Sequence, residues 1–137
     1  MTKTNLDKVA QDHARKMLDV SDKETLERLV TKALGVLQNQ GVYAMMLFLF
    51  SRSSKEKEIA PVIRNSLYDA LKRLVNFKNE TIVDSPKEAL EFYSQKVVEN
   101  LDTLLLVRDL YEQTLIYARF HAKAAKEEQS GSTEEAA

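Results

Sequence analysis

The chain has 137 residues with three glycines, two prolines, no cysteine and a formal net charge of −1, a size that fits one domain burying about two thirds of its unfolded surface. The lack of cysteine excludes a disulfide scaffold, a thiolate zinc site and a thiol nucleophile, and so few glycines and prolines point to long helices. Glu127, Glu128, Glu134 and Glu135 lie beyond Lys126 with no base among them, which leaves residues 1–126 at +3; that is mildly basic, short of the excess expected of a stand-alone nucleic-acid binder.

In chain order, Leu6, Val9, Ala10, His13, Ala14, Met17 and Leu18 recur at three- and four-residue spacing, the single apolar stripe of a first helix, with Asn5 or Thr4 as its cap. Ser21-Asp22-Lys23-Glu24 reads as a capping box opening a second helix, whose stripe is Leu26, Leu29, Val30, Ala33, Leu34 and Leu37. Gly41 either ends that helix as a left-handed cap or allows close packing. From Val42 to Phe50 the run is apolar throughout. A helix hydrophobic all round belongs inside a bundle or a membrane, and nine residues rise only about 14 Å, too little to cross a bilayer. It is therefore expected to be a central helix that the rest of the chain wraps.

After a polar connection over 51–57, Ile59, Val62, Ile63, Leu67, Ala70, Leu71, Leu74 and Val75 form another stripe, with Pro61 expected in the first turn, where its missing N–H costs nothing. Residues 76–84 read as a loop or frayed end. Ser85-Pro86-Lys87-Glu88 is a second capping box with proline at the first helical position. Ala89, Leu90, Tyr93, Val97 and Val98 follow, with an interruption near 100–102. The last stripe is Leu104, Leu105, Val107, Tyr111, Thr114, Leu115, Ala118, His121, Ala122 and Ala125. The pattern predicts an all-α, single-domain antiparallel bundle of five to six helices over residues 1–126, followed by an acidic, disordered tail over 127–137. The first residues carry no apolar h-region, so a cytoplasmic protein is expected.

Catalytic material is sparse. His13 and His121 lie on apolar stripes, where a lone histidine is usually a hydrogen-bonded core residue; no HExxH, EF-hand or paired Glu-x-x-His spacing accompanies them. There is no glycine-rich phosphate loop and no G-x-S-x-G elbow. The expectation is no enzymatic activity, no cofactor and no metal site.

What remains is charge on a helical scaffold. Residues 52–80 hold seven bases against four acids, including Arg52, Lys55, Lys57, Arg64, Lys72 and Arg73. Such an array can bind phosphates without reading bases, or be an ordinary solvated face paired by Glu56, Glu58 and Asp69. Arg119 and Lys123, four apart and followed by Lys126, form a second patch that could equally complement a helix C-terminus. The aromatics, Tyr43, Phe48, Phe50, Tyr68, Tyr93, Tyr111, Tyr117 and Phe120, read first as core and second as stacking platforms.

Two segments carry a resemblance. The stretch from Leu34 to Arg52, with Gln38-Asn39-Gln40-Gly41 before the apolar run and Ser51-Arg52 after it, resembles the signature of the small α-helical subunit of type III-B (Cmr-type) CRISPR–Cas effector complexes. The segment Thr114-Leu115-Ile116-Tyr117-Ala118-Arg119-Phe120-His121-Ala122-Lys123-Ala124 is similar to that family's closing helix, although Ile116-Tyr117 stands where a tryptophan-containing variant is expected. The resemblance implies a non-catalytic subunit of a guide-RNA-directed antiviral ribonucleoprotein. Several copies would stack head to tail beside the guide-bearing backbone and help form the groove for target RNA. It assigns RNA contact to Arg52, Lys55, Arg119 and Lys123, and makes Gln38, Asn39 and Gly41 structural. The partners it implies are the other subunits of the complex, further copies of this chain, and guide and target RNA, with no membrane. The alternatives are the small subunit of a type III-A or type I effector, a protein–protein adaptor with no nucleic-acid role, and a metal- or cofactor-binding bundle using His13 and His121.

Overall fold

A computed structural model describes the backbone of residues 5–136 and the side chains of residues 5–128. Among them are six α-helices and no strand: α1 (Leu6–Lys16), α2 (Lys23–Gln40), α3 (Val42–Phe50), α4 (Lys55–Leu71), α5 (Pro86–Phe92) and α6 (Leu101–Ala136). The protein is a single-domain helical bundle, as its periodicity predicts. A 3₁₀ turn (Val75–Phe77) follows α4, and α5 runs on into a π-helical segment (Tyr93–Val98).

Local chemistry sets the helix starts. The Asn5 side-chain oxygen accepts from the Lys8 amide at 3.1 Å, and Ser85 Oγ accepts from the Glu88 amide at 3.4 Å with Pro86 opening α5. Asn100 caps α6 through the Thr103 amide at 3.0 Å, which is the interruption expected near 100–102. The cap of α2 is Asp22, not Ser21. Its carboxylate accepts both the amide and the hydroxyl of Thr25, at 3.0 and 2.6 Å, two bonds and a negative charge at a helix start where a serine hydroxyl offers one.

The long pair α2 and α6 forms the spine. Lys126 reaches Glu27 at one end and Arg108 reaches the Gln38 carbonyl at the other, so the two run antiparallel. Leu26, Leu29, Val30, Ala33 and Leu37 of α2, and Val107, Leu110, Tyr111, Leu115, Ala118 and Ala122 of α6, belong to one buried core that Val9, Ala10 and Ala14 of α1 and Met17 just after it also enter. Leu105, expected in that core, is instead 47% exposed, and Leu110, absent from the predicted stripe, is buried. Residues beyond Glu128 continue α6 as backbone to Ala136. The side chains of 129–137, on which most of the expected tail falls, lie outside the described residues.

The apolar run α3 departs from expectation. Val42, Met45, Met46 and Leu49 are buried, but Tyr43 is 41% and Leu47 50% exposed. The helix is thus amphipathic in burial though not in composition: a buried stripe at i, i+3, i+4 and i+7 backs onto an apolar outer face. It packs on the bundle and is not wrapped by it. Pro61 also falls elsewhere than expected. Because α4 starts at Lys55, the proline lies in the second turn and strips the Lys57 carbonyl of its helical partner. Val75, expected on the α4 stripe, is 77% exposed in the 3₁₀ turn, whereas Phe77 beside it is buried.

Gly41 ends α2 and starts α3 with φ +99° and ψ −176°, a region essentially restricted to glycine. A Cβ built there meets nothing within 4 Å, so conformation and not close packing requires the glycine. Gly41→Val is expected to lower stability by about 1–3 kcal/mol, measured as a shift in urea midpoint; an unchanged midpoint would mean that the α2–α3 corner adapts freely.

Candidate nucleic-acid interface

The four residues expected to contact RNA fall into two situations. Arg52, on the connection after α3, is half-buried and held on three sides. Its Nε donates to the Phe48 carbonyl at 3.0 Å, its guanidinium carbon lies 3.8 Å from the Phe48 ring centroid, and Nη1 reaches Glu56 at 3.4 Å. Lys55, the first residue of α4, and Arg119 and Lys123 on α6 are exposed and have no ion-pair partner among the described residues.

What joins Arg52 to Arg119 is α2. Its exposed side carries Arg28 and Lys32, one turn apart, and both turn toward Glu56 of α4, Lys32 at 2.9 Å and Arg28 at 3.9 Å. With Arg52, three cations converge on this half-buried carboxylate, and the Lys32 hydrogen bond and the Arg52 contact hold its pKa below the ordinary carboxylate value against the opposing effect of burial. On their other side Arg28 and Lys32 share a groove of about 430 Å³ with Arg119, Lys126, Glu24 and Glu27. Lys126 bonds Glu27 at 2.8 Å, which raises the lysine's pKa.

The result is a track running from Arg52 across α2 to α6, in which Arg28, Lys32, Arg52, Arg119 and Lys126 meet Glu24, Glu27 and Glu56. The paired cations are held in place, and Arg119 makes no ion pair among the described residues. Sequence reasoning missed Arg28 and Lys32 as site residues. Their i, i+4 spacing on the polar side of α2 looks like any solvated helix face until Glu56 and α6 are set beside it.

Other expected phosphate ligands have structural roles. Arg64 is 8% exposed; its Nε and Nη2 bind the two Asp84 oxygens at 2.8 and 3.1 Å, and Nη1 donates to the Leu49 carbonyl at 3.0 Å. Arg73 reaches Asp12 at 3.8 Å, where Lys8, the nearer Arg15 and Arg73 together lower the carboxyl pKa. Of the signature residues, Gln38 and Asn39 are exposed, and only the Gln38 backbone carbonyl is engaged, by Arg108 at 2.9 Å. Gly41 alone has a structural reason to be there.

Among the aromatics, Tyr68, Tyr93 and Tyr111 are core. The hydroxyls of Tyr93 and Tyr111 share a buried 2.6 Å hydrogen bond with their rings edge to face, and burial pushes both phenols far above their ordinary pKa. Tyr43 and Phe120, at 41% and 63% exposure, are not core; Tyr43 borders a groove against Pro86, Leu90 and Ser94.

His13 is buried, and its Nδ1–H donates to the Val9 carbonyl at 2.8 Å. Burial lowers its pKa from 6.5, assisted by Lys16 and Arg73 and opposed by the Val9 bond and Asp69. The native state therefore binds fewer protons than the unfolded chain as pH falls through 6.5, and stability declines on acidification by at most about 1.4 kcal/mol per pH unit. Urea midpoints at pH 7.5 and 5.5 should show this loss in the wild type and a smaller one in His13→Gln; equal losses would remove His13 as the cause. No group of three histidine or carboxylate side chains among the described residues is placed to hold a metal ion, and no helix among them is long and apolar enough to cross a membrane. No family model, curated protein or solved structure matches the chain.

Proposed function

We propose that this chain is a non-catalytic, RNA-contacting helical subunit, the small subunit of a type III-B CRISPR effector that stacks in several copies along the target-RNA groove. The observation that carries RNA contact is the track of cations from Arg52 through Arg28 and Lys32 to Arg119, continued by Lys123. Its carboxylates hold most of the bases in place, and the small surplus suits weak, sequence-independent phosphate contact multiplied over stacked copies. The specific complex rests on the sequence resemblance. The buried polar groups favour a scaffold role, since His13, Thr25, Arg64 and Thr114 are all bonded to neighbours in the fold. Self-association is favoured by the exposed apolar side chains Tyr43 and Leu47 on α3 and Leu101 and Leu105 on α6.

Those same apolar residues favour a second reading, a protein–protein adaptor that does not touch nucleic acid. Fluorescence anisotropy with a single-stranded RNA of about 20 nucleotides separates the two. RNA contact predicts binding at low salt whose logarithm falls linearly with log salt, with a slope of about −0.7 per phosphate engaged. An absence of binding even at about 20 mM salt, well below the range where such contacts weaken, would favour the adaptor.

A further inference from the structure

Beside the track, and sharing only Arg52 with it, lies a cavity. It occupies about 270 Å³ between the end of α3, the first three turns of α4 and the segment leading into α5, and Arg52, Lys57, Arg64 and Asp84 line it together with Phe50 and Pro61. Three cations thus face one carboxylate, and that carboxylate is already committed. Asp84 accepts both arms of the Arg64 fork and the Tyr68 hydroxyl at 2.8 Å. Arg64 is fixed further by the Leu49 carbonyl and by the Phe50 ring, whose centroid is 4.2 Å from its guanidinium carbon. A guanidinium has five N–H donors, and these bonds use three. Lys57 is exposed and has no ion pair or side-chain hydrogen bond among the described residues.

We infer that this cavity is a binding site for a phosphomonoester group carried on a small organic body. A preorganised arginine, a second arginine held by Phe48, Ser51 and Glu56, and a free lysine line a half-open cleft whose walls include Phe50, Pro61 and Pro86. There charge-assisted hydrogen bonds to a compact dianion are stronger than on an open surface. The volume is below that of most drug-sized sites, which suits a phosphate with one sugar or nucleoside and not a longer chain. The chemistry is shared by a free nucleotide and by the 5′-phosphate end of an RNA. The site shares Arg52 with the track, but Lys57 and Arg64 lie outside the α2–α6 groove.

The test uses the full chain. Calorimetry and thermal melting are run with inorganic phosphate, uridine 5′-monophosphate and uridine against chloride at matched ionic strength, then with one RNA bearing a 5′-phosphate or a 5′-hydroxyl. Phosphate and the monophosphate should bind and raise the melting temperature, and uridine should not. Lys57→Gln should weaken both by about tenfold with unliganded melting unchanged, and Arg52→Gln should weaken them as well. Tighter binding of the 5′-phosphorylated RNA, abolished in Lys57→Gln, would identify an RNA end as the source; equal binding of the two RNAs beside a bound monophosphate would identify a free nucleotide. Phosphate indistinguishable from chloride, or undiminished binding in Lys57→Gln, would overturn the inference. Neither result bears on RNA held by Arg119 and Lys123, which the reversal of those two residues reads separately.

Discussion

Asp84→Ala is expected to lower stability by about 2–3 kcal/mol, a large effect for a side chain that water partly reaches. Asp84 lies in the connection between α4 and α5, and its carboxylate ties that connection to α4 through the Arg64 fork and the Tyr68 hydroxyl. Its removal leaves a guanidinium that is 90% buried facing only the Leu49 carbonyl and the Phe50 ring. A stranded buried charge costs about 3–5 kcal/mol where both partners are fully enclosed; the Asp84 side chain is about a quarter exposed, so water recovers part of that. The effect should be non-additive. Arg64→Met in the Asp84→Ala background should restore part of the stability, because an apolar side chain in place of the stranded charge removes the penalty. Urea titrations of the two single variants and the double variant measure the coupling. Strict additivity would show that the two residues act independently and that the pair does not hold the connection.

Reversing Arg119 and Lys123 together to glutamate should reduce RNA affinity at low salt by tenfold or more, and the salt slope should shrink by about 0.7 for each phosphate no longer engaged. Both residues are exposed on α6 and have no ion-pair partner among the described residues, so the melting temperature should hold. A fall in melting together with affinity would indicate damage to the α2–α6 packing and not the removal of phosphate ligands. Unchanged affinity with unchanged melting would remove α6 from the RNA surface. The same reversal at Arg52 is less informative about RNA, because Arg52 also closes the end of α3 through the Phe48 carbonyl and holds Glu56.

Helix existence was legible because burial in a bundle forces a 3.6-residue period onto each element, and α1, α2, α4 and α6 all show it. The cap of α5 was legible because Ser85 alone could serve; at 4–5 and at 21–22 two neighbours could serve, and Asn5 and the Asp22 carboxylate, with its two acceptor bonds, are the observed caps. The run 42–50 misled because every position is apolar. The buried set 42, 45, 46 and 49 has ordinary helical spacing, but no polar residue marks the outer face, and composition alone then suggests burial on all sides. The π-helical turn at 93–98 left no mark in the pattern, and neither did the position of Pro61 relative to a helix start that only Ser54 and Lys55 define.

The candidate site was half legible. Arg119 and Lys123 stood out as neighbours on one helix, and Arg52 and Lys55 as the bases that follow the apolar run. Arg28 and Lys32 did not, since their importance comes from Glu56, 24 residues beyond Lys32 in sequence, and from α6, which closes the groove. Arg64 looked like a surface base because its helical position offers no hint of the carboxylate 20 residues later that draws it inward. Long-range charge pairing of this kind is not written in local periodicity.

Affinity purification of the chain from its native cells, with mass spectrometry and sequencing of co-purified RNA, tests whether this helical bundle is an RNA-contacting subunit of a guide-RNA complex. The expected recovery is a multisubunit assembly containing several copies of the chain and short guide RNAs derived from CRISPR repeats. Recovery of the chain alone, or with unrelated proteins and no RNA, would contradict it.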